Sequence, residues 1–163
     1  MLNQIIAKIQ PLPEALTYVH AWRRAGQKII WTNGVFDLLH QGHIKYLAAA
    51  RTLGDRLVVG INSDASVRRL KGDDRPILDQ DARLLQMAAL MMADLVVLFE
   101  EDTPLECILA LRPDLIVKGG DYQAQDVVGA KVVPQWGGAV KILPFEAGHS
   151  SSQLIRKIKS LPE

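Results

Sequence analysis

The chain has a single cysteine and almost no net charge, and both shortages limit what it can do. Its 163 residues include one cysteine, Cys107, so it can form neither an internal disulfide nor a cysteine-based metal cluster. The chain has 19 basic and 18 acidic residues, so it has no overall electrostatic field that would attract nucleic acid or an acidic membrane. The longest apolar run, around Met87–Met92, is far too short for a membrane span. Any affinity for anions must therefore come from a few locally placed basic groups.

Several well-known sequence signatures are absent as well. Between the first predicted strand and the helix that follows it, the only glycines are Gly34 and Gly42. The G-x-G-x-x-G motif of nicotinamide-binding enzymes is therefore missing. There is no G-x-x-x-x-G-K-[ST] of P-loop kinases and no G-x-S-x-G elbow of serine hydrolases. The sequence also lacks a stripe of basic residues of the kind that contacts nucleic acid. Met1–Gln10 lacks the basic start and apolar run of a signal peptide, and we expect a cytoplasmic protein.

Short apolar runs alternate with helical patterns along the chain. The strands are predicted at Lys28–Thr32, Arg56–Ile61, Leu95–Phe99, Asp114–Lys118 and Ala139–Pro144. The helices are predicted at Glu14–Ala25, His43–Leu53, Asp79–Met92, Pro104–Leu111 and Ser151–Lys159, with a charged loop at Arg68–Arg75. This alternation predicts an α/β fold with a five-stranded, doubly wound parallel sheet. We expect residues 1–27 to form an N-terminal helical segment packed on a domain of residues 28–163.

Two histidines mark the loop that follows the first strand. His40 and His43 flank Gln41 and Gly42 where the next helix begins. A helix N-terminus presents unpaired N–H groups and the positive end of a dipole, and Gly42 allows a ligand to approach closely. Ligands of doubly wound sheets bind at the carboxyl ends of the strands. Two imidazoles at this point therefore suggest hydrogen bonds to the oxygens of a polyphosphate.

These residues resemble a known family. Thr32–His43 resembles the G-x-F-D-x-x-H-x-G-H signature of the cytidylyltransferase-like nucleotidylyltransferases, which have a Rossmann-like fold. Asn62–Asp64, Arg69–Pro76 and Asp114–Tyr122 are similar to one branch, the heptose 1-phosphate adenylyltransferases that form the second domain of bifunctional ADP-heptose synthases. The resemblance implies transfer of AMP from ATP to D-glycero-β-D-manno-heptose 1-phosphate, with release of pyrophosphate. The product would be an ADP-activated heptose for lipopolysaccharide or another surface glycan.

The resemblance also implies a set of site residues. It places His40, His43 and Lys71 at the reacting phosphates, and it assigns substrate binding to Arg83 and Lys118. Nucleotide contacts are implied for Asn33, Gly34, Val35, Phe36, Asp37, Gly42, Asp121, Gly148, Ser150, Ser151 and Ser152. Within this set, Asp37 is expected to order the loop.

Several of these residues have simpler explanations that remain open. Lys71 also fits a solvated surface lysine. Arg83 also fits an i,i+4 partner of Asp79. Asp121 also fits a turn residue that makes only local hydrogen bonds, and Ser150 also fits a helix-capping residue.

Two other functions stay open. One is a cytidylyltransferase that acts on glycerol 3-phosphate or a related small phosphate. The glycerol-phosphate enzymes carry an arginine where this chain has Phe145 or Glu146, which favours the adenylyltransferase branch. The other is a flavodoxin-like nucleotide-binding module without catalysis.

The expected chemistry needs no nucleophilic side chain. A sugar 1-phosphate is largely ionised near neutral pH and can attack the α-phosphorus of ATP without a general base. We expect Mg²⁺ to arrive on the nucleotide, because Mg²⁺ keeps waters and uses few protein ligands, and we expect no permanent metal site. The resemblance further implies a homodimer, and a separate kinase and phosphatase that supply the sugar 1-phosphate.

Overall fold

The structure, a computed structural model, describes residues 1–144 and 151–161. The strands are β1 (Ile29–Gly34), β2 (Arg56–Asn62), β3 (Leu95–Phe99), β4 (Leu115–Gly119) and β5 (Ala139–Leu143). The α-helices are α1 (Leu2–Ile6), α2 (Leu12–Arg24), α3 (Gln41–Arg51), α4 (Asp64–Lys71), α5 (Gln80–Ala89), α6 (Leu105–Leu111) and α7 (Ser151–Lys159). Short 3₁₀ turns lie at Ala124–Asp126 and Val133–Trp136.

The strands form one parallel sheet in the order β3-β2-β1-β4-β5. The register places Ile30 beside Leu57 on one side and beside Leu115 on the other. The chain thus builds outward from β1 in one direction and then returns to its other side. This arrangement confirms the predicted doubly wound sheet and puts the switch point between β1 and β4.

Helices cover both faces of the sheet and bury two apolar layers. On one face Val19 of α2 and Ile108 of α6 pack fully buried against the sheet. On the other face Leu47 of α3 and Met87 of α5 do the same. Strands buried on both faces must be apolar along their whole length, which explains the uninterrupted apolar runs in the sequence.

The predicted charged loop at Arg68–Arg75 is wrong over its first half, because α4 continues to Lys71. The Ser63 hydroxyl oxygen caps α4 by accepting a hydrogen bond from the Ser66 N–H (3.1 Å). Val67 is fully buried and anchors the helix on the domain. Arg68 and Arg69 are exposed, and the many charges of this helix hide its short apolar face from a composition-based prediction.

The segment after α1 lies along the edge of the sheet. The Gln10 N–H donates to the Val96 carbonyl (3.0 Å), and the Val96 N–H donates to the Lys8 carbonyl (2.8 Å). These bonds cover part of the outer edge of β3, which would otherwise expose unpaired backbone groups. No helix within the described ranges is long and apolar enough to cross a bilayer.

Candidate active site

A cavity of about 500 Å³ opens at the carboxyl ends of the parallel strands. Asn33 of β1, Asn62 of β2 and Lys118 of β4 line it. His43, from the first turn of α3, and Lys71, from the end of α4, form further parts of its wall. Ligands of doubly wound sheets bind at this edge beside the switch point. The cavity is therefore the candidate active site.

The loop after β1 forms one wall of the cavity through Gly34, Val35, Phe36 and Asp37. Phe36 and Leu38 have φ angles of 49° and 53°, a left-handed conformation that residues other than glycine seldom adopt. The Phe36 ring lies so close to Gly34 that a Cβ there would be 3.0 Å from its Cε2 atom. Such a turn is costly by itself, so contacts elsewhere in the protein must hold it.

Asp37 supplies those contacts. Its buried carboxylate accepts hydrogen bonds from the backbone N–H groups of Ile77 (2.8 Å) and Leu78 (3.0 Å). It also pairs with Arg75, whose Nε and Nη2 lie 2.9 and 2.8 Å away. The Ser151 hydroxyl, at the start of α7, donates to the Asp37 backbone carbonyl. Burial alone would raise the pKa of Asp37, but the bonds from Ile77, Leu78 and Arg75 lower it below its ordinary value of 3.8.

We expect Asp37→Asn to lower the free energy of unfolding by about 2 kcal/mol at neutral pH, because the Arg75 cation loses its partner. A depressed pKa gives stability above the unfolded-state value of 3.8 that is lost as pH falls through the folded-state pKa. The difference between wild type and variant should therefore shrink in acid. Denaturant unfolding between pH 7 and pH 2 measures it. Asp102→Asn is the matched control, because its ion pair with Arg69 is exposed and should contribute less than about 1 kcal/mol.

His40 and His43 meet at the start of α3. His40 is the N-cap residue, and its ring stacks on that of His43 with centroids 3.8 Å apart. The His40 backbone N–H donates to Nδ1 of His43 over a long 3.4 Å. The Phe36 ring meets His43 edge to face at 5.4 Å. Of the two histidines, His43 is part of the cavity lining, and His40 contacts it through the stacked rings.

His43 is a neutral hydrogen-bond donor rather than a cation. Burial, helped by the positive charges of His40 and Lys71, lowers the pKa of His43 to about 4. A neutral imidazole whose Nδ1 accepts a hydrogen bond carries its proton on Nε2. His43 can therefore donate from Nε2 to an anionic oxygen at neutral pH.

Two lysines reach the cavity from different elements. Lys71 is the last residue of α4, and burial together with the nearby Arg75 charge lowers its pKa, while Asp37 opposes the change. Lys118 donates from Nζ to the Asn33 carbonyl (2.9 Å), and burial lowers its pKa to about 8. None of the described carboxylates forms an ion pair with Lys118. A cation buried without a counter-ion in a cavity wall is suited to bind an anionic ligand.

Arg83 lies inside the protein, 1% exposed, rather than at the cavity wall. Its guanidinium donates to the carbonyls of Leu78 (3.1 Å) and Val35 (2.9 Å) and to the carboxylate of Asp64 (2.7 Å). The predicted alternative of an i,i+4 pair with Asp79 is wrong, because Asp79 instead caps α5 with its side chain. Only the fold brings Asp64 to Arg83.

The loop after β4 and the first turn of α3 place two more predicted residues. Asp121 is exposed and lies outside the cavity lining, whereas its neighbour Tyr122 is part of that lining. Gly42 is buried in the first turn of α3 beside His43. The nucleotide contact expected of Asp121 therefore remains a prediction.

The serine segment is described only in part. Ser151 lines the cavity at the start of α7, while Ser152 is exposed. Gly148 and Ser150 lie outside the described residues.

Arg75 and Tyr46 are among the cavity residues that sequence reasoning missed. Arg75 stood among other charges, and nothing local distinguished it. The Tyr46 hydroxyl lies 2.7 Å from the Thr32 hydroxyl and donates to the Val117 carbonyl (3.0 Å). Burial raises the pKa of Tyr46 to about 12, although the bond to Thr32 opposes this. Its position three residues after His43, on the same helix face, was the available signal.

Residues 31–157 match the cytidylyltransferase-like family. Two similar curated proteins are bifunctional proteins HldE. The one from Trichlorobacter lovleyi is 56% identical over 89% of this chain, and the one from Cronobacter sakazakii is 55% identical over 86%. The chain spans 30% of the length of each of these relatives.

Solved structures agree on the fold. A lipopolysaccharide core biosynthesis protein from Thermoplasma volcanium is 32% identical, with a TM-score of 0.62, and the match covers 76% of this chain and all of the other. A pantoate-beta-alanine ligase from Francisella tularensis, 14% identical over 88% of this chain and 75% of its own, has a TM-score of 0.57 and shares the fold alone. With the family match spanning most of its length and the cavity at the switch point, this chain belongs to the cytidylyltransferase-like family of nucleotidyltransferases.

Proposed function

We propose that the protein transfers AMP from ATP to D-glycero-β-D-manno-heptose 1-phosphate, giving ADP-heptose and pyrophosphate. The main observation behind this proposal is a single cavity that combines a neutral histidine donor, His43, with two lysines, Lys71 and Lys118. The bifunctional HldE relatives and the lipopolysaccharide core biosynthesis protein favour a sugar substrate of this class.

The reaction is an in-line displacement at the α-phosphorus of ATP. An oxygen of the sugar 1-phosphate forms a bond to this phosphorus, the bond to the bridging oxygen breaks, and pyrophosphate leaves with the electron pair. The attacking phosphate is already ionised at neutral pH, so no proton has to be removed from it. The protein must hold two anions together and stabilise charge on the departing pyrophosphate.

The cavity residues divide this work. His43 donates from Nε2 to a phosphate oxygen, and His40 holds its ring through stacking at the helix start. Lys71 supplies a positive charge from the end of α4, where it can reach the phosphates. Lys118 supplies a second charge beside Asn33, whose side-chain oxygen is buried without a hydrogen-bond partner among the described residues. A hydroxyl of the ligand would satisfy that oxygen.

We place Mg²⁺ with the substrate. The described residues contain no group of three His, Cys, Asp or Glu side chains that could hold a metal ion. The cavity carboxylate Asp37 is already engaged by Arg75 and two backbone N–H groups. The ATP phosphates would hold the Mg²⁺, which would neutralise charge on the pyrophosphate.

The first experiment is a pyrophosphate-release assay with Mg²⁺. ATP, CTP, GTP and UTP are offered separately, each with the heptose 1-phosphate or with glycerol 3-phosphate. Release with ATP and the heptose 1-phosphate alone is the expected result. Release with CTP and glycerol 3-phosphate would keep the reaction but overturn the substrate assignment, an outcome that the name of the matched family makes worth testing. Nucleotide binding without release under any pairing would contradict the proposed function.

A further inference from the structure

We infer that Arg83 is a positioning residue. It fixes the position of the loop after β1 relative to α4, and it does not touch the substrate. Its expected effect on turnover rests on the proposed function. The side chain is 0% exposed, although arginine is seldom fully buried. A buried charge is tolerated only when it is paired and hydrogen-bonded, so the partners of Arg83 reveal its role.

The guanidinium bonds three different segments of the chain. Nη1 donates to the Val35 carbonyl at 2.9 Å, Nη2 to the Asp64 carboxylate at 2.7 Å, and Nε to the Leu78 carbonyl at 3.1 Å. The group is planar and its N–H directions are fixed, so it sets the relative positions of all three acceptors. A lysine ammonium, which lacks this fork, cannot do the same.

Two of these segments form walls of the cavity. Val35 lines it directly, and Asp64 begins α4, the helix whose last residue is Lys71. The eight residues of α4 form one continuous helix about 12 Å long, so we expect a shift at Asp64 to be carried to Lys71. A second bond, from the Asp64 N–H to the Gln80 side chain (3.1 Å), joins the same end of α4 to α5.

The third segment connects Arg83 to Asp37. The Leu78 carbonyl accepts from Arg83, while the Leu78 N–H donates to the Asp37 carboxylate (3.0 Å). Asp37 and Arg83 therefore hold one residue from its two backbone groups, and both also hold the loop after β1. Without Arg83, the distance between the Val35 backbone and Lys71 would be set only through weaker and longer connections.

The test compares Arg83→Lys with Arg56→Lys. Arg56 belongs to a different arginine–aspartate cluster, with Arg51 and Asp94, and does not line the cavity. We expect Arg83→Lys to lower kcat at least tenfold, because a displacement of about 1 Å in a site costs up to about 10²-fold. The dissociation constant of ATP should stay within about twofold, because no ligand contact is removed. Arg56→Lys should leave kcat unchanged.

A double-mutant cycle with Lys71 separates positioning from general destabilisation. If Arg83 acts through Lys71, adding Arg83→Lys to Lys71→Met should lower kcat by less than about threefold further. Adding Arg56→Lys should have no additional effect. Full additivity of Arg83→Lys and Lys71→Met, or an equal loss of kcat in Arg56→Lys, would overturn the inference.

Amide hydrogen exchange of the nucleotide-free protein gives a readout that needs no activity. The backbone amides of residues 35–37 and 64–71 should exchange faster in Arg83→Lys than in wild type. In Arg56→Lys their exchange rates should equal those of wild type. If the wild type transfers no nucleotide, the proposed function fails but this result still decides the role of Arg83. Unchanged exchange in both segments would overturn the inference. If Arg83→Lys does not fold, Asp64→Asn takes its place in every measurement. Asp64→Asn leaves Arg83 its two carbonyl acceptors.

Discussion

Replacing His43 by alanine is expected to lower kcat by about 10²–10³-fold and to change the dissociation constant of ATP by less than about threefold. The reason is that charge builds on the phosphate oxygens as the reaction proceeds, so a donor aimed at them stabilises the transition state more than bound ATP. Steady-state kinetics and equilibrium binding of ATP measure the two quantities separately. An equal loss in ATP binding and in kcat would mean that His43 only positions the nucleotide. Full activity of the variant would show that His43 has no role in the reaction.

The charge state of His43 gives this prediction a second test. Its pKa of about 4 keeps the ring neutral, so a neutral donor can replace part of its function. We expect His43→Asn to retain more activity than His43→Ala. We also expect no limb in the kcat profile between pH 5.5 and 8 that belongs to His43. A limb near pH 6.5 that disappears in His43→Asn would contradict the neutral-donor role.

Two further histidine variants complete the series. His20→Ala is the control, because His20 is exposed on α2, outside the cavity lining, and its loss should leave kcat unchanged. His40→Ala should also lower kcat far more than ATP binding, because its ring stacks on His43 at the helix start. If His40→Ala left kcat unchanged, as expected for His20→Ala, the stacking of His40 on His43 would not contribute to catalysis.

Replacing Lys118 by methionine is expected to make the protein less active but more stable. The folded protein holds this lysine at a pKa of about 8 against an ordinary 10.5, which corresponds to a cost of about 3 kcal/mol. That cost is fully present below about pH 8, where the lysine is charged in both states, and disappears above pH 10.5. Loss of the bond to the Asn33 carbonyl offsets about 1 kcal/mol, so we expect a net gain of about 2 kcal/mol at neutral pH.

The same substitution should lower kcat/KM by about 10²-fold, because a desolvated charge that pairs with a ligand anion is removed. In the wild type, kcat/KM should fall as pH rises through about 8 and the Lys118 proton is lost. This limb should be missing from the Lys118→Met profile. Unfolding by denaturant and kcat/KM from pH 6 to pH 10 are the measurements.

Lys141→Met is the matched control for Lys118→Met. Lys141 lies on the neighbouring strand β5, where it is exposed and outside the cavity lining. It should change neither stability beyond about 0.5 kcal/mol nor kcat/KM. A Lys118→Met protein that is less stable than wild type and fully active would show that Lys118 is merely structural.

The fold could be predicted because its signal is local. Each strand is an apolar run, and each long helix carries its own periodic face, so the predicted strands agree with the observed ones to within two residues at each end. The exception is α4, where Val67 is the one buried apolar residue and most of its neighbours are charged. A single apolar position cannot show a period, and only packing against the domain reveals the helix.

The sequence by itself determined the class of fold, the edge of the sheet that holds the cavity, and the histidine pair at the start of α3. All of these depend on residues that are close together along the chain. The tertiary structure decided what the remaining charged residues do. Arg83 is buried inside the protein and bonded to Asp64, whereas Lys118 lies at the cavity wall with no counter-ion among the carboxylates of residues 1–144 and 151–161. The physical reason is that the role of a charge depends on its desolvation and on its partners, which here lie 19 and 85 residues away along the chain.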